Sequence, residues 1–250
     1  MLMNPPSNTH YFFKNRFCNF FYILFNIFVS HIQYINLIKE MNIKKFTFNS
    51  FQENTYIISS NNDCMIIDPG CSNQREKEEI TNYIEDNQLN PIELINTHCH
   101  LDHIFGNNFI SKKYNLRPKM HKKDFPLLER SLDIAKLYNV DLEPPPLNIE
   151  FINEQDIIIL GDTKWEIIFT PGHSPGHICL LNKQDHVIIV GDVLFLMSIG
   201  RTDLPGCNHS DLINSIHNKI ITLDEQITVF CGHGENTTIG FEKKNNPFLN

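Results

Sequence analysis

The sequence predicts an α/β fold in which two β-sheets are covered by helices. Runs rich in β-branched and aromatic residues come in two batches, within residues 43–97 and 156–192, with a last run at residues 227–231. Segments with apolar residues at helical spacing lie between and after these batches. Because a sheet must bury its apolar face, two sheets covered by helices is the packing that this order favours.

The first batch contains four strands and one helix. Each strand is a short run closed by a turn signal, such as the Asp-Pro-Gly sequence at residues 68–70. The helix carries Ile80, Tyr83 and Ile84 at helical spacing in a charged segment, which predicts an amphipathic helix. The strands are predicted at residues 43–48, 54–59, 64–68 and 91–97, and the helix at residues 74–87.

The second batch contains four strands framed by two helices. A helix is predicted at residues 122–138, with Leu127, Leu128, Leu132 and Ile134 on its inner face. Three consecutive prolines then force an extended loop. The strands are predicted at residues 156–160, 164–170, 176–181 and 187–192, followed by a helix at residues 210–221 and a last strand at residues 227–231.

Composition and charge indicate a globular protein and disfavour some functions. The chain has 250 residues, of which 41% are hydrophobic and 20% are charged, and its formal net charge is −8. This acidic balance disfavours a general basic surface for nucleic acid, so we expect no nucleic-acid partner. The seven cysteines are odd in number and include no C-x-x-C pair. They favour free thiols in a reducing compartment, which predicts a cytoplasmic location.

The first 40 residues differ from the rest of the chain. Positions 17–38 carry no formally charged residue, and Lys14 and Arg16 precede them as in a signal anchor. Polar residues interrupt this stretch, no small-residue cleavage site follows it, and Met41 opens a segment typical of a chain start. We therefore predict a hydrophobic N-terminal extension at residues 1–40, outside a domain at residues 41–250. A membrane anchor is the alternative.

A cluster of potential metal ligands follows the predicted strand at residues 91–97. It consists of His98, His100, Asp102 and His103. In an extended chain the first two point to the same side, and the last two follow a bend and offer a second group. Imidazole nitrogen and carboxylate oxygen are ligands that Zn²⁺ takes. Because unpaired ionisable groups are costly to bury, this spacing predicts a metal site.

Three later strands each end at one further potential ligand. These ligands are His173, Asp192 and His233. A glycine next to each of them allows the backbone to turn tightly and to come close to the site. A single histidine after a strand is usually a loop residue. Three ligands at strand ends, in a chain that already contains the H-x-H-x-D-H sequence, are better explained by one site.

In this order the ligands resemble the metallo-β-lactamase superfamily, over essentially all of residues 41–250. The resemblance implies a four-layer αββα sandwich with the metal site at its edge. It also implies two divalent metal ions, with zinc as the default and iron or manganese as alternatives. It assigns His98, His100 and His173 to the first metal, Asp102, His103 and His233 to the second, and Asp192 to a position that bridges both.

Asp192 and the sequences around it are similar to the short, glyoxalase II-like hydroxyacylglutathione hydrolases. Classical metallo-β-lactamases have Cys or Ser at the position of Asp192, or lack a bridging ligand. The similar strings are Gly-Asp-Val-Leu-Phe at 191–195, Ser-Ile-Gly-Arg-Thr-Asp-Leu-Pro-Gly at 198–206, Gly-His-Gly-Glu-Asn-Thr-Thr-Ile-Gly at 232–240 and Asn-Pro-Phe-Leu at 246–249.

The resemblance implies hydrolysis of S-D-lactoylglutathione to D-lactate and glutathione, or of a similar small-molecule thioester. A metal-bound hydroxide would attack the carbonyl carbon, and the metal would stabilise the oxyanion and the departing thiolate. Asp102, the catalytic carboxylate, would bind the second metal and orient the hydroxide. Longer members of the group add a C-terminal helical domain with glutathione contacts. This chain ends at Asn250, so a thioester of another thiol is an alternative.

Two further residues have both a functional and a structural interpretation. Arg201 lies where the group has a basic residue for the glutathione carboxylate, and the alternative is a surface salt bridge. Asp68 resembles the aspartate of the family's first motif, which orients a ligand histidine, and the alternative is turn formation before Pro69. His177 is expected to be structural.

Three other functions remain as alternatives. Persulfide dioxygenases are similar in residues 97–103 and 200–203 and use one iron held by two His and one Asp. The Gly-His-Gly sequence around His233 favours the hydrolase, since a dioxygenase needs no second metal ligand there. A nuclease of the superfamily is disfavoured by the acidic charge. A non-catalytic module is disfavoured by the intact ligand set.

Overall fold

One mixed sheet of six strands forms the first half of the fold. The computed structural model describes residues 41–249, so the predicted extension at residues 1–40 lies outside the described residues. The first three strands pair in antiparallel fashion, and the remaining strands continue the sheet in parallel. In spatial order the strands are β1 (Asn42–Phe48), β2 (Glu53–Ser60), β3 (Asp63–Ile67), β4 (Asn90–Ile95), β5 (Pro118–Met120) and β6 (Glu150–Phe151).

A second six-stranded sheet follows in the chain. Its strands are β7 (Ile157–Leu160), β8 (Thr163–Phe169), β9 (Ile178–Asn182) and β10 (Val187–Gly191), then, after a small hairpin of β11 (Leu194–Phe195) and β12 (Ser198–Ile199), β13 (Thr228–Cys231) and β14 (Thr237–Thr238). The spatial order is β14-β13-β10-β9-β8-β7. Antiparallel pairing of β8 with β9 and of β9 with β10, and parallel pairing of β10 with β13, make β8, β10 and β13 run in one direction.

Helices cover the outer faces of both sheets. The helices are α1 (Gln74–Asp86), α2 (Leu101–Ile104), α3 (Asn107–Tyr114), α4 (Phe125–Glu129), α5 (Ser131–Tyr138), α6 (His209–Ser215), which continues into a π-helical turn (Ile216–Ile220), and α7 (Ile239–Asn245). Ile80 of α1 and Ile110 of α3 pack against the first sheet, and Leu212 of α6 and Ile239 of α7 pack against the second. The order of layers is helix, sheet, sheet, helix, which confirms the predicted αββα sandwich.

The main hydrophobic core lies between the two sheets. Tyr56 and Met65 of the first sheet meet Trp165 and Leu180 of the second, and all four are buried. Each strand contributes alternate residues to this layer because successive side chains point to opposite faces. The second sheet shows this on its edge strand β7, where Ile158 is 5% exposed and Ile157 is 55% exposed.

The structure corrects the long helix predicted at residues 122–138. A 3₁₀ turn (Lys122–Asp124), α4 and α5 replace it, because Pro126 occupies the first turn of a new helix and cannot continue the preceding one. Leu128 is buried as predicted, but Leu132 is 37% exposed and does not belong to the inner face.

No helix within residues 41–249 is both long enough and apolar enough to cross a membrane. Residues 1–40, for which a membrane anchor is the alternative interpretation, lie outside the described part of the chain. The six cysteines of the described part are free thiols, as predicted.

Adjacent residues on β7 test the assignment of its two faces. We expect Ile158→Ala to lower the free energy of unfolding by about 2–5 kcal/mol, because it leaves a cavity between the sheets. The matched variant Ile157→Ala changes an exposed position and should stay within about 0.5 kcal/mol of wild type. Equilibrium urea unfolding measures both values. Equal destabilisation by the two variants would contradict the face assignment.

Candidate metal centre

The predicted ligands come from four loops that meet at one edge of the sandwich. His98 and His100 follow β4 of the first sheet, whereas His173, Asp192 and His233 follow β8, β10 and β13 of the second sheet. The last three strands run in one direction, so their carboxyl ends share an edge. Two hydrogen bonds join this edge to the first sheet. Ile178 N donates to Thr97 O after β4 at 2.9 Å, and Asn54 N of β2 donates to Gly232 O at 2.7 Å.

Three histidines form the first group of the centre. The Nδ1 atom of His100 lies 2.9 Å from Nε2 of His173, and Nε2 of His98 lies 3.2 Å from the same atom. His98 and His173 are buried, whereas His100 is partly exposed. Three nitrogen atoms therefore converge on one position from two different sheets.

Asp102, His103 and His233 form the second group. The Oδ2 atom of Asp102 lies 3.2 Å from Nε2 of His233 and 3.7 Å from Nε2 of His103. His103 is fully buried, and the other two residues are partly exposed. This group therefore combines one carboxylate with two imidazoles, as the sequence predicts.

The carboxylate of Asp192 lies between the two groups. Its Oδ2 atom is 3.5 Å from Nε2 of His173 in the first group and 3.5 Å from Nε2 of His233 in the second. Its Oδ1 atom is 3.5 Å from Nε2 of His103. A Cβ atom at Gly232 would collide with this carboxylate, so a glycine is required beside it.

Unpartnered polar atoms show that the centre fits a cation. Within the described residues, His103 Nε2 and Asp192 Oδ1 are buried without a hydrogen-bond partner. Buried polar atoms are normally satisfied, and these two face the same space. Nitrogen and carboxylate oxygen donors of this kind suit a divalent metal ion such as zinc.

The two groups differ in their electrostatics. Burial lowers the pKa of His98 well below its usual value, and burial together with His173 lowers the pKa of His100 to about 3. Burial also lowers the pKa of His103, but the carboxylates of Asp102 and Asp192 raise it by more, to well above its usual value. The first group is therefore neutral without a metal, whereas the second is held as an ion-paired cluster.

His233 behaves as His103 does. Burial lowers its pKa, but hydrogen bonds with Asp102 and Asp192 raise it by more, to about 10. The pKa of Asp192 is raised by burial and lowered by more through His103, so it lies well below its usual range. A metal ion that binds this group would replace the protons on the two histidines.

Asp68 contacts the centre from behind. Its carboxylate accepts hydrogen bonds from Thr97 N at 2.7 Å, from Thr97 Oγ1 at 2.6 Å and from His103 Nδ1 at 3.1 Å. The Nδ1 atom of His98 lies 3.1 Å from the same Thr97 hydroxyl. Asp68 also has a φ of 49° in the turn after β3. Asp68 therefore lies in a turn and also contacts the ligand residues, as its two interpretations describe. Its contacts with Thr97 and His103 direct Nε2 of His98 and of His103 towards the centre.

Backbone carbonyls orient two other histidines. His173 Nδ1 lies 2.8 Å from Arg201 O, and His233 Nδ1 lies 3.1 Å from Phe51 O. A carbonyl oxygen can only accept, so each Nδ1 carries the proton and each Nε2 is left to act as a ligand. Arg201 thus contacts the centre through its backbone.

The side chain of Arg201 is already paired. Its Nε and Nη2 atoms donate to the two carboxylate oxygens of Asp203 at 2.6 and 2.8 Å, and 60% of the arginine side chain is exposed. This is the surface salt bridge that the alternative interpretation describes. An exposed pair of this kind is weak, so a substrate carboxylate can compete with Asp203. The predicted role in substrate binding stays a prediction.

Two residues contact the ligands in ways that sequence analysis missed. His177 accepts a hydrogen bond from the Asp192 backbone N–H at 3.1 Å, and its ring stacks on His98. Asn54 donates from Nδ2 to Cys231 O at 3.0 Å and to Gly234 O at 2.9 Å, on either side of His233. The repeat of Pro-Gly-His at residues 171–173 and 175–177 was a sequence signal for His177. The sequence around Asn54 offered none.

Comparisons with known proteins identify the family of the chain. The family model for the metallo-beta-lactamase superfamily matches residues 49–233. The hydroxyacylglutathione hydrolase GloC of Haemophilus influenzae is 37% identical over 84% of this chain and 99% of its own length. The probable metallo-hydrolase YqgX of Bacillus subtilis is 35% identical over 84% of this chain and 98% of its own length.

Solved structures show the same fold. The BLEG-1 B3 metallo-beta-lactamase superposes with a TM-score of 0.77 and 32% identity, over 83% of this chain and 99% of that one. The di-iron-bound form of TTHA1623 superposes with a TM-score of 0.74 and 30% identity, over 82% of this chain and all of that one. The chain therefore belongs to the metallo-beta-lactamase superfamily.

Proposed function

We propose that this protein is a metal-dependent hydrolase of small thioesters, with S-D-lactoylglutathione as the representative substrate. The observation that carries the proposal is the Asp192 carboxylate, which lies 3.5 Å from a histidine of each ligand group. A hard oxygen ligand at this position is the feature that resembles the glyoxalase II-like hydrolases. The similarity to GloC, which is named a hydroxyacylglutathione hydrolase, supports the same substrate class.

Two divalent ions would be held by the ligand groups described above. His98, His100 and His173 would hold one ion, Asp102, His103 and His233 would hold the other, and Asp192 would contact both. When bound, such ions lower the pKa of coordinated water and stabilise negative charge that develops on an acyl oxygen. We propose zinc as the native metal. Iron is the alternative that the di-iron-bound form of TTHA1623 supports.

Asp102 is the residue of this chain that we assign to the attacking water. Its side chain keeps 15% exposure, whereas His103 beside it has none, so Asp102 faces the open side of the centre. Its Oδ2 atom is held 3.2 Å from His233 Nε2. A carboxylate fixed in this way can accept a hydrogen bond from water and direct a lone pair towards the thioester carbon.

The completeness of the second ligand group favours this function over persulfide dioxygenation. A reaction that needs one iron needs no second group, yet His233 is oriented by the Phe51 carbonyl and contacts both Asp102 and Asp192. The net charge of −8 likewise disfavours a nuclease. We propose a small-molecule thioester as the partner and the cytoplasm as the location.

Hydrolysis of S-D-lactoylglutathione by the purified, zinc-loaded protein tests the proposal. We expect turnover, and we expect His98→Ala to lower kcat/KM by at least about 100-fold, because losing a ligand costs at least as much as losing an outer contact to one. The matched control is His217→Ala, an exposed histidine in the π-helical turn. It should keep wild-type activity.

Two other substrates make the result decisive. Oxygen uptake with glutathione persulfide and an iron-loaded protein, without thioester turnover, would replace the hydrolase by a dioxygenase. Turnover of a chromogenic cephalosporin without thioester turnover would point to a different hydrolase of the same fold.

Metal binding should release protons. The pKa of His233 is raised to about 10 by Asp102 and Asp192, so His233 is protonated in the metal-free protein at pH 7.5, and a ligand histidine must be neutral. We expect at least one proton to be released on zinc binding at this pH, and apparent zinc affinity to rise with pH. Titration calorimetry in two buffers of different ionisation enthalpy measures the number. His233→Gln should lower it by about one, and a buffer-independent enthalpy would contradict the assignment.

Arg201 and Asp203 provide a matched pair for substrate specificity. We expect Arg201→Ala to raise KM for S-D-lactoylglutathione about tenfold with little change in kcat, because it removes a hydrogen bond to a charged group. Asp203→Ala frees the guanidinium and should not raise KM. A thioester without a glutathione carboxylate should show no effect of either variant. An unchanged KM in Arg201→Ala would leave Arg201 as a surface residue.

A further inference from the structure

Asp124 is a buried carboxylate that the proposed reaction does not use. It ends the 3₁₀ turn that follows β5, and its side chain has no exposed surface. It is not a ligand in either group of the candidate centre. A carboxylate in such a position costs free energy unless its oxygens are hydrogen-bonded. Its hydrogen bonds therefore indicate what the residue does.

Three donors surround this carboxylate, and all three lie within three residues of a proposed metal ligand. Cys99 N donates to Oδ2 at 2.8 Å, and Cys99 lies between His98 and His100. Ser174 Oγ donates to the same oxygen at 2.9 Å. Gly176 N donates to Oδ1. The last two residues belong to the loop between β8 and β9, which contains His173.

These contacts join loops from different sheets. The loop of His98 and His100 leaves β4 of the first sheet, and the loop of His173 leaves β8 of the second. We propose that Asp124 is a positioning residue that fixes the loop of His98 and His100 relative to the loop of His173, so that the three histidines of the first group keep their relative positions. The proposal rests on the metal centre proposed above.

The local structure is fitted to a carboxylate. All three neighbours are donors, and a carboxylate is the only side chain of this size that offers acceptors alone. A Cβ atom at Gly176 would collide with Asp124, so the glycine permits the close approach. Burial raises the pKa of Asp124 to about 6 against the opposing hydrogen bonds, which leaves it ionised at neutral pH.

Glu242 provides a matched control. It is a fully buried carboxylate of α7 that also accepts three hydrogen bonds, from Met197 N at 3.0 Å, Thr237 Oγ1 at 2.6 Å and Asn246 Nδ2 at 2.7 Å. None of these three donors lies within three residues of a proposed ligand. Glu242 therefore matches Asp124 in burial and chemistry but not in its link to the centre.

The test compares Asp124→Asn with Glu242→Gln in the full chain. Each variant replaces one acceptor oxygen by an amide that opposes a donor, so both should lower the stability of the metal-free protein. Zinc affinity, measured by competition with a chromophoric chelator, separates them. We expect Asp124→Asn to lower the affinity of a zinc site about 10–100-fold, and Glu242→Gln to leave it within about threefold of wild type.

A second variant keeps the test decisive if Asp124→Asn does not fold. Ser174→Ala removes one donor and leaves the carboxylate in place, and it should lower zinc affinity in the same direction by a smaller factor. Wild-type affinity in Asp124→Asn or in Ser174→Ala would overturn the proposal, as would an equal loss of affinity in Glu242→Gln. Failure of the wild-type protein to bind zinc would overturn the proposed metal centre and this proposal with it. Zinc binding by the wild type that Asp124→Asn leaves unchanged would overturn this proposal alone.

Discussion

The electrostatic attraction between buried carboxylates and histidines at one edge of the sandwich is the interaction on which the site depends. Asp102 and Asp192 raise the pKa of His103 and His233 against the effect of burial. Burying this many ionisable groups is favourable only when each charge has a partner of opposite sign. Buried atoms that lack a hydrogen-bond partner, such as His103 Nε2, mark where a cation would fit.

The directions of the strands bring the ligands to one place. β8, β10 and β13 run in one direction, so each delivers its ligand to the same edge. Glycines such as Gly232 let the backbone approach the carboxylates closely. The interior between the sheets is built around large side chains such as Trp165 and Tyr56, which fix the distance between the ligand loops.

The local order of strands and helices predicted two sheets covered by helices, and the positions of the potential ligands after strands indicated one site. The division of the ligands into two groups came from the resemblance to the superfamily. Strand periodicity reveals β1, β2 and β8, and each segment that carries a ligand follows a strand. The contacts of Asn54, His177 and Asp124 depend on tertiary packing, and no local pattern reports which loop will meet which. The break at Pro126 has a local cause, yet the apolar spacing on both sides of it predicted one continuous helix. Strands of two or three residues, such as β5 and β14, are too short to carry a period.

Ligands drawn from two separate sheets give the metal ions a mechanical role as well as a chemical one. His100 and His173 follow strands of different sheets, so an ion between them would crosslink the two sheets. The described part of the chain has no disulfide that could do the same, because its cysteines are free thiols. The unfolded chain has no such preformed site, so the free energy of ion binding adds to the free energy of unfolding. The resistance of this fold to unfolding would then be set by the supply of metal as much as by its core.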